Sequence, residues 1–211
     1  MKDIESFIEG FRRFKADYFS GSCQRFEPYK TCQQPTTAVI GCCDSRVDPA
    51  ILFGCGPGDL FVIRNVANLV PPCEHTGGHH GISAAIEFAV KTLKVKHVIV
   101  LGHSHCGGIN ALLSGAVGAA DGGFIGNWMA LAEGARSRVL DKVPEADGPD
   151  ARARACEQAS ILVSLENLMS FPWLKARVDD GSLHLHGWYF DTESGSLMRY
   201  SRSGGGFETI A

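Results

Sequence analysis

"KHVIVLGHSHCGGINALLSG", residues 96–115, carries the fold in miniature. Its opening run is almost continuously apolar, without the alternation of a strand that has one wet face. Such a run is expected for a strand buried on both faces of a parallel sheet. The polar turn "HSHCGG" follows at once, and "GGINALLSG" then opens a helix. A strand that passes through a tight loop into a helix is the building unit of an α/β protein.

The same unit recurs on both sides. "TTAVIG" (36–41) is a second β-branched run, followed by the polar loop "CCDSRVDP" (42–49). "LFVIRN" (60–65) reads as a strand introduced by the turn "CGPGD". "GISAAIEFAVKTL" (81–93) puts Ile82, Ile86, Ala89, Val90 and Leu93 on one helical face. "ADGGFIGNWMALAEGARSRVL" (120–140) reads as a glycine-rich loop and a helix, and "VPEADGPDAR" (143–152) as a polar surface loop. "CEQASILVSLENLMS" (156–170) is a helix that Pro172 helps to end. "SLHLHGWYFD", "TESGS" and "LMRYS" (182–201) read as a closing hairpin or strand pair. Alternating strands and helices predict one α/β domain over 1–211, its mostly parallel central sheet flanked by helices. Residues 1–35 are expected to form a helical arm on a core spanning 36–211. In that arm Ile4, Phe7, Ile8, Phe11, Phe14 and Tyr18 recur at spacings of three and four. Such an amphipathic stripe packs on a core or on a partner subunit.

Composition narrows the class. The chain has 211 residues, 45% of them hydrophobic, and a net charge of −3. That balance argues against an electrostatic grip on nucleic acid or an anionic membrane. No apolar run approaches the ~18 residues of a membrane span. The amphipathic start "MKDIESFIEGFRRFK" lacks the apolar core of a signal peptide, so a cytoplasmic protein is expected. The eight cysteines show no regular spacing. In a reducing compartment they are expected to be mostly free thiols, some of them metal ligands. The glycine-rich "GCGPGD" precedes a strand, and "HTGGHHG" lacks a lysine and the phosphate-loop spacing; neither is a nucleotide site.

The chemistry concentrates at two strand ends. His103 and Cys106 lie just past the predicted strand 96–102, and Cys42 lies just past 36–41. In open α/β sheets the loops after the strands converge on one crevice. One imidazole and two thiolates there suit Zn²⁺. Three protein ligands leave a fourth position open, as in catalytic zinc sites, whereas a structural site recruits a fourth ligand, His105 or Cys43. On an extended segment Cys42, Asp44 and Arg46 share a face, and Cys43 points to the other as a packing residue. Asp44 and Arg46 can then pair, which keeps the acid ionised beside the metal. Zinc with two thiolates and a neutral imidazole carries no net charge, so it should acidify water weakly and favour activity at alkaline pH.

"CCDSRVDP" followed by "GHSHCGG" resembles the motif pair of the β-class carbonic anhydrases of bacterial type, Cys-x-Asp-Ser-Arg and His-x-x-Cys-Gly. "PGDLFVIRNVANLVPP" (57–72), "GISAAIEFAVKTLKVKHVIVLGH" (81–103) and "LHLHGWYFDTESGSL" (183–197) are similar to that family as well. The resemblance implies one Zn²⁺ per chain on Cys42, His103 and Cys106, with Asp44 and Arg46 as the catalytic dyad. It implies reversible hydration of CO₂ to bicarbonate and a proton, with zinc-bound hydroxide as nucleophile. It also implies a homodimer or dimer-based oligomer in which the N-terminal helix packs over its neighbour. Family members with a closed site, where the motif aspartate is a fourth zinc ligand, usually carry a tryptophan three residues before the first cysteine, partnered by an arginine in the next strand. Here that position is Val39, although Arg64 is present. This favours an open site, with Asp44 a ligand only in a closed state. His75, His79, His80 and His105 are candidate proton carriers by chemistry. Two other readings remain open: a carbonyl sulfide or carbon disulfide hydrolase on the same scaffold, and a structural or sensing zinc protein.

Overall fold

Valines, isoleucines and leucines that alternate with nothing polar need protein on both sides, and the chain supplies it. In the computed structural model of the protein, which describes residues 3–20, 26–75, 77–117 and 123–211, the chain starts with helix α1, Ile4–Phe19. Strand β1 (Thr37–Cys42), the short helix α2 (Pro49–Leu52) and strand β2 (Leu60–Asn65) follow. Helix α3 (Gly81–Glu87) leads to β3 (His97–His103), which leads to α4 (Gly107–Leu113). Helices α5 (Phe124–Met129), α6 (Glu133–Lys142), α7 (Pro149–Leu168) and α8 (Pro172–Asp179) precede β4 (His184–Phe190), β5 (Leu197–Ser201) and β6 (Gly206–Thr209).

The six strands form one sheet in the order β2-β1-β3-β4-β5-β6. The first four are mutually parallel and the last two antiparallel. β3 lies inside the sheet and is buried from Val98 to His103. One face packs Ala38, Ile40, Val98, Val100 and Tyr189 against Ile86, Ile161, Leu168 and Leu174 from α3, α7 and α8. Each large aliphatic side chain buried this way contributes roughly 1.5–3 kcal/mol. The other face carries a smaller cluster of Val39, Ile99 and Leu101 under Leu52, Phe53 and Trp188.

The order of the strands places the site. From β1 the chain steps to β2 on one side and then back to β3 on the other. The loops after β1 and β3 therefore diverge and leave a crevice at the carboxyl edge of the sheet. The register Gly41↔Leu101 brings Cys42 and His103 to that same edge.

Three expectations need correction or extension. Residues 149–152 are helix rather than surface loop, because Pro149 at the first helical position is preorganised to start α7. β4 pairs in parallel with β3 as well as forming the hairpin with β5, and β6 adds an edge strand. The arm carries an exposed stripe: Ile4, Phe7, Ile8 and Phe11 are 48–67% exposed. Its lower end carries an aromatic cluster within the arm, Phe14 against Tyr18 and Phe19 stacked on Phe26. Cys23 and the loop residues 120–122 lie outside the described residues.

Candidate metal centre

Cys42 closes β1, His103 closes β3, and Cys106 is the N-cap of α4. Their ligand atoms all lie within 4.8 Å of one another, and all three residues are buried. Nδ1 of His103 donates to the Ser104 carbonyl at 2.8 Å, which leaves Nε2 with its lone pair facing the sulfurs. That buried Nε2 has no hydrogen-bond partner. The Cys106 thiol donates to Cys42, which holds the Cys42 pKa well below the thiol range and pushes that of Cys106 up. Burial works to lower the His103 pKa, and the adjacent Cys42 thiolate outweighs it. Two buried sulfurs that cannot both ionise, beside an orphaned imidazole nitrogen, are what a divalent cation resolves. The donor set fits a borderline-soft metal.

The backbone takes unusual conformations to bring these groups together. Ala67 and Asn68, beside Cys42, have φ of 63° and 49°, and His105 in the ligand loop has φ of 55°. Such left-handed conformations are costly for residues with a Cβ and persist only where surroundings impose them. At the ligand loop the imposing contacts come from the turn after β4. The Ser104 amide donates to the Phe190 carbonyl at 3.0 Å, and the Thr192 amide donates to Ser104 Oγ at 2.8 Å. The His105 ring pairs with Glu193 at 2.8 Å. His105 is thereby turned away from the metal group, and neither it nor Cys43 belongs to that group.

Asp44 and Arg46 pair, though not by strand alternation. β1 ends at Cys42, and the chain turns, the Val47 amide donating to the Asp44 carbonyl. The turn brings Arg46 back: Nε donates to Asp44 Oδ1 at 3.0 Å and Nη2 to Oδ2 at 2.7 Å. The Arg46 amide also donates to Oδ1, and these donors hold the Asp44 carboxyl far below its ordinary range. Nη2 of Arg46 further reaches the His105 carbonyl at 3.2 Å, linking the two loops. The same turn explains why Cys43 is exposed rather than a buried packing residue. The extended backbone that would carry Cys43 into a core stops with β1 at Cys42.

Two charged residues brace the main chain of this group: Arg64, noted in the sequence only as the partner of an absent tryptophan, and Glu157, which the sequence reading left without a role. Arg64 on β2 donates from Nε to the Cys42 carbonyl (2.9 Å), from Nη1 to Asp48 (2.8 Å) and from Nη2 to the Asp44 carbonyl (2.7 Å). Glu157 on α7 accepts the Cys106 amide. The available signal was the same for both: one charged residue within an apolar run, "LFVIRN" and "CEQASILVSL".

A mostly parallel sheet with a buried cysteine–histidine–cysteine group at its carboxyl edge defines an α/β protein with side chains that could hold a metal ion. The family model for carbonic anhydrase matches residues 37–197. A carbonic anhydrase of Synechococcus elongatus is 35% identical over 95% of this chain and 72% of its own length. The solved structure of the β-carbonic anhydrase CcaA superposes with a TM-score of 0.89 at 33% identity, covering 99% of this chain and 92% of its own. One of two tetrameric β-carbonic anhydrases from Sordaria macrospora superposes with a TM-score of 0.80 at 28% identity, over 98% of this chain and 96% of its own. The chain belongs to the carbonic anhydrase family, in its β class, and is an enzyme of that kind.

Proposed function

We propose that the chain catalyses reversible hydration of CO₂ to bicarbonate and a proton, with one zinc ion held by Cys42, His103 and Cys106. The observation that carries this reading is the buried three-residue group with its unpartnered imidazole nitrogen, one turn away from a carboxylate fixed by arginine. Zinc in a three-ligand site supplies the Lewis acidity that makes water a nucleophile. Asp44 stays ionised under Arg46 and accepts a hydrogen bond from the reacting water, which aims the oxygen lone pair at the carbon of CO₂. Arg46, bonded to both Asp44 and the His105 carbonyl, holds that carboxylate against the ligand loop.

Both Asp44 oxygens are engaged by Arg46, and Asp44 stands outside the metal group. This supports an open site rather than one closed by the carboxylate. Val39 is fully buried in the sheet core, where closed members of the family usually carry tryptophan. We read the exposed apolar stripe of α1 as covered by a second copy, in a homodimer or dimer-based oligomer. The solved tetrameric relatives favour the same reading. The compartment is the cytosol, where the seven described free thiols stay reduced.

Stopped-flow CO₂ hydration across pH, with carbonyl sulfide and carbon disulfide as competing substrates, tests the assignment. Activity that needs zinc, rises towards pH ~9 and falls in Asp44→Ala is expected. Zinc content should survive Cys43→Ser and be lost in Cys42→Ser. Absence of zinc-dependent CO₂ hydration at alkaline pH overturns the reaction. Zinc lost with Cys43 and kept without Cys42 overturns the ligand set.

A further inference from the structure

Glu157 has no part in the chemistry described so far, yet it is 3% exposed in the interior. Both of its carboxylate oxygens are spoken for. Oε1 accepts the amide of Cys106 at 3.0 Å, and Oε2 accepts the hydroxyl of the fully buried Tyr189 at 2.8 Å. Around this contact Arg154 lies over the Tyr189 ring and pairs with Asp191 at 2.9 Å.

Cys106 needs such a partner. It caps α4 from outside, so its amide has no place in the helical ladder. The residue before it, His105, is held in a left-handed conformation. The other contacts on the ligand loop stop short of the ligand: Thr192 holds Ser104, and Arg46 and Glu193 hold His105. Glu157, 51 residues away in sequence, grips the main chain of Cys106 itself. A hydrogen bond to a buried side chain is directional and fixes where the amide points. Groups that orient metal ligands from behind commonly tune the affinity of the site.

We propose that Glu157 is the positioning residue of the Cys106 ligand, fixing its main chain so that the sulfur faces Cys42 and His103. The proposal rests on those three residues being the metal ligands, and it concerns geometry rather than charge.

Zinc affinity by chelator competition, and the absorption bands of the cobalt-substituted protein, test it on the full chain. Glu157→Gln keeps an acceptor for the Cys106 amide and a donor for Tyr189. It should hold zinc within about threefold of the parent and leave the thiolate–cobalt band in place. Glu157→Met keeps the bulk without an acceptor, and zinc should bind about 10–100-fold more weakly, with a displaced thiolate–cobalt band. Tyr189→Phe, which frees one oxygen but spares the Cys106 bond, should fall between the two and serves if Glu157→Met does not fold. The proposal fails if Glu157→Met, or Tyr189→Phe in its place, lowers thermal stability while affinity and cobalt spectrum stay at parent values. It also fails if Glu157→Gln loses as much affinity as Glu157→Met. Cys106→Ser separates this from the ligand assignment: parent-like zinc affinity there means that the three-residue site itself is wrong.

Discussion

Gly102→Ala should separate α7 from the sheet. Gly102 and Gly187 lie on neighbouring strands, and Ile161 of α7 fills the notch that their missing side chains leave. A Cβ on Gly102 would lie 2.7 Å from Ile161 Cδ1 and 2.8 Å from Cγ1. Carbon contacts are favourable at about 3.5–4.0 Å, so the methyl needs a withdrawal of roughly 1 Å. Swinging Cδ1 aside is easy. Moving Cγ1 is not, because a β-branched side chain on a helix has essentially one χ1 rotamer. The other escape is blocked as well, since Cγ2 already sits 2.9 Å from where a Cβ on Gly187 would stand. Overpacking of this kind costs roughly 1–3 kcal/mol, and alanine recovers about 0.5–1 kcal/mol over glycine in a strand. The net loss is at most roughly 2.5 kcal/mol, a fall in Tm of up to about 10 °C at this chain length. The decisive assay is a double-mutant cycle by urea denaturation at fixed protein concentration. Ile161→Ala alone should cost about 2–5 kcal/mol for the cavity. Combined with Gly102→Ala it should cost less, because the new methyl fills part of that cavity and no longer collides. Additivity within about 0.5 kcal/mol would refute the steric account.

Two further expectations follow from the contacts of single side chains. Arg64→Lys keeps the charge but replaces a rigid fork by one mobile ammonium, which cannot serve Cys42, Asp44 and Asp48 together. CO₂ hydration should fall by roughly 10–100-fold as the loop carrying Asp44 loosens; parent-like kcat/KM would exclude a positioning role. For Asp191, burial tends to raise the pKa, but the Glu193 amide and the Arg154 guanidinium outweigh it and hold the carboxyl at about 2, against an ordinary 3.8. A folded-state pKa below the unfolded one adds stability that is fully present above the ordinary value. It is lost as pH falls from about 4 towards 2. Asp191→Asn keeps the turn but cannot ionise, so its urea midpoint should fall less steeply than the parent's across that window; parallel curves would count against the pairing.

Much of the fold was legible because it depends on local pattern. The run at 96–102 announced a strand buried on both faces, and the periodicity of 81–93 announced a helix. With the strands alternating with helices, these placed Cys42, His103 and Cys106 at strand ends where a parallel sheet gathers its loops. Local rules fail where the backbone leaves the conformation that they assume. Alternation held up to Cys42 and lapsed at the turn over residues 44–47, which is why Asp44 and Arg46 meet by a different route and Cys43 faces solvent. Pro149 was read with the loop around it, although as a first helical residue it starts α7.

The sequence by itself determined which chemistry is available: a soft donor set, an acid with its base, and a sheet to bring them together. Only the tertiary structure decided what holds that chemistry in place. Arg64 reaches the Cys42 carbonyl from 22 residues away, and Glu157 reaches the Cys106 amide from 51. The physical reason is that ligand type is a property of single side chains, whereas ligand position depends on hydrogen bonds between segments whose proximity exists only after β1, β2, β3 and α7 have packed.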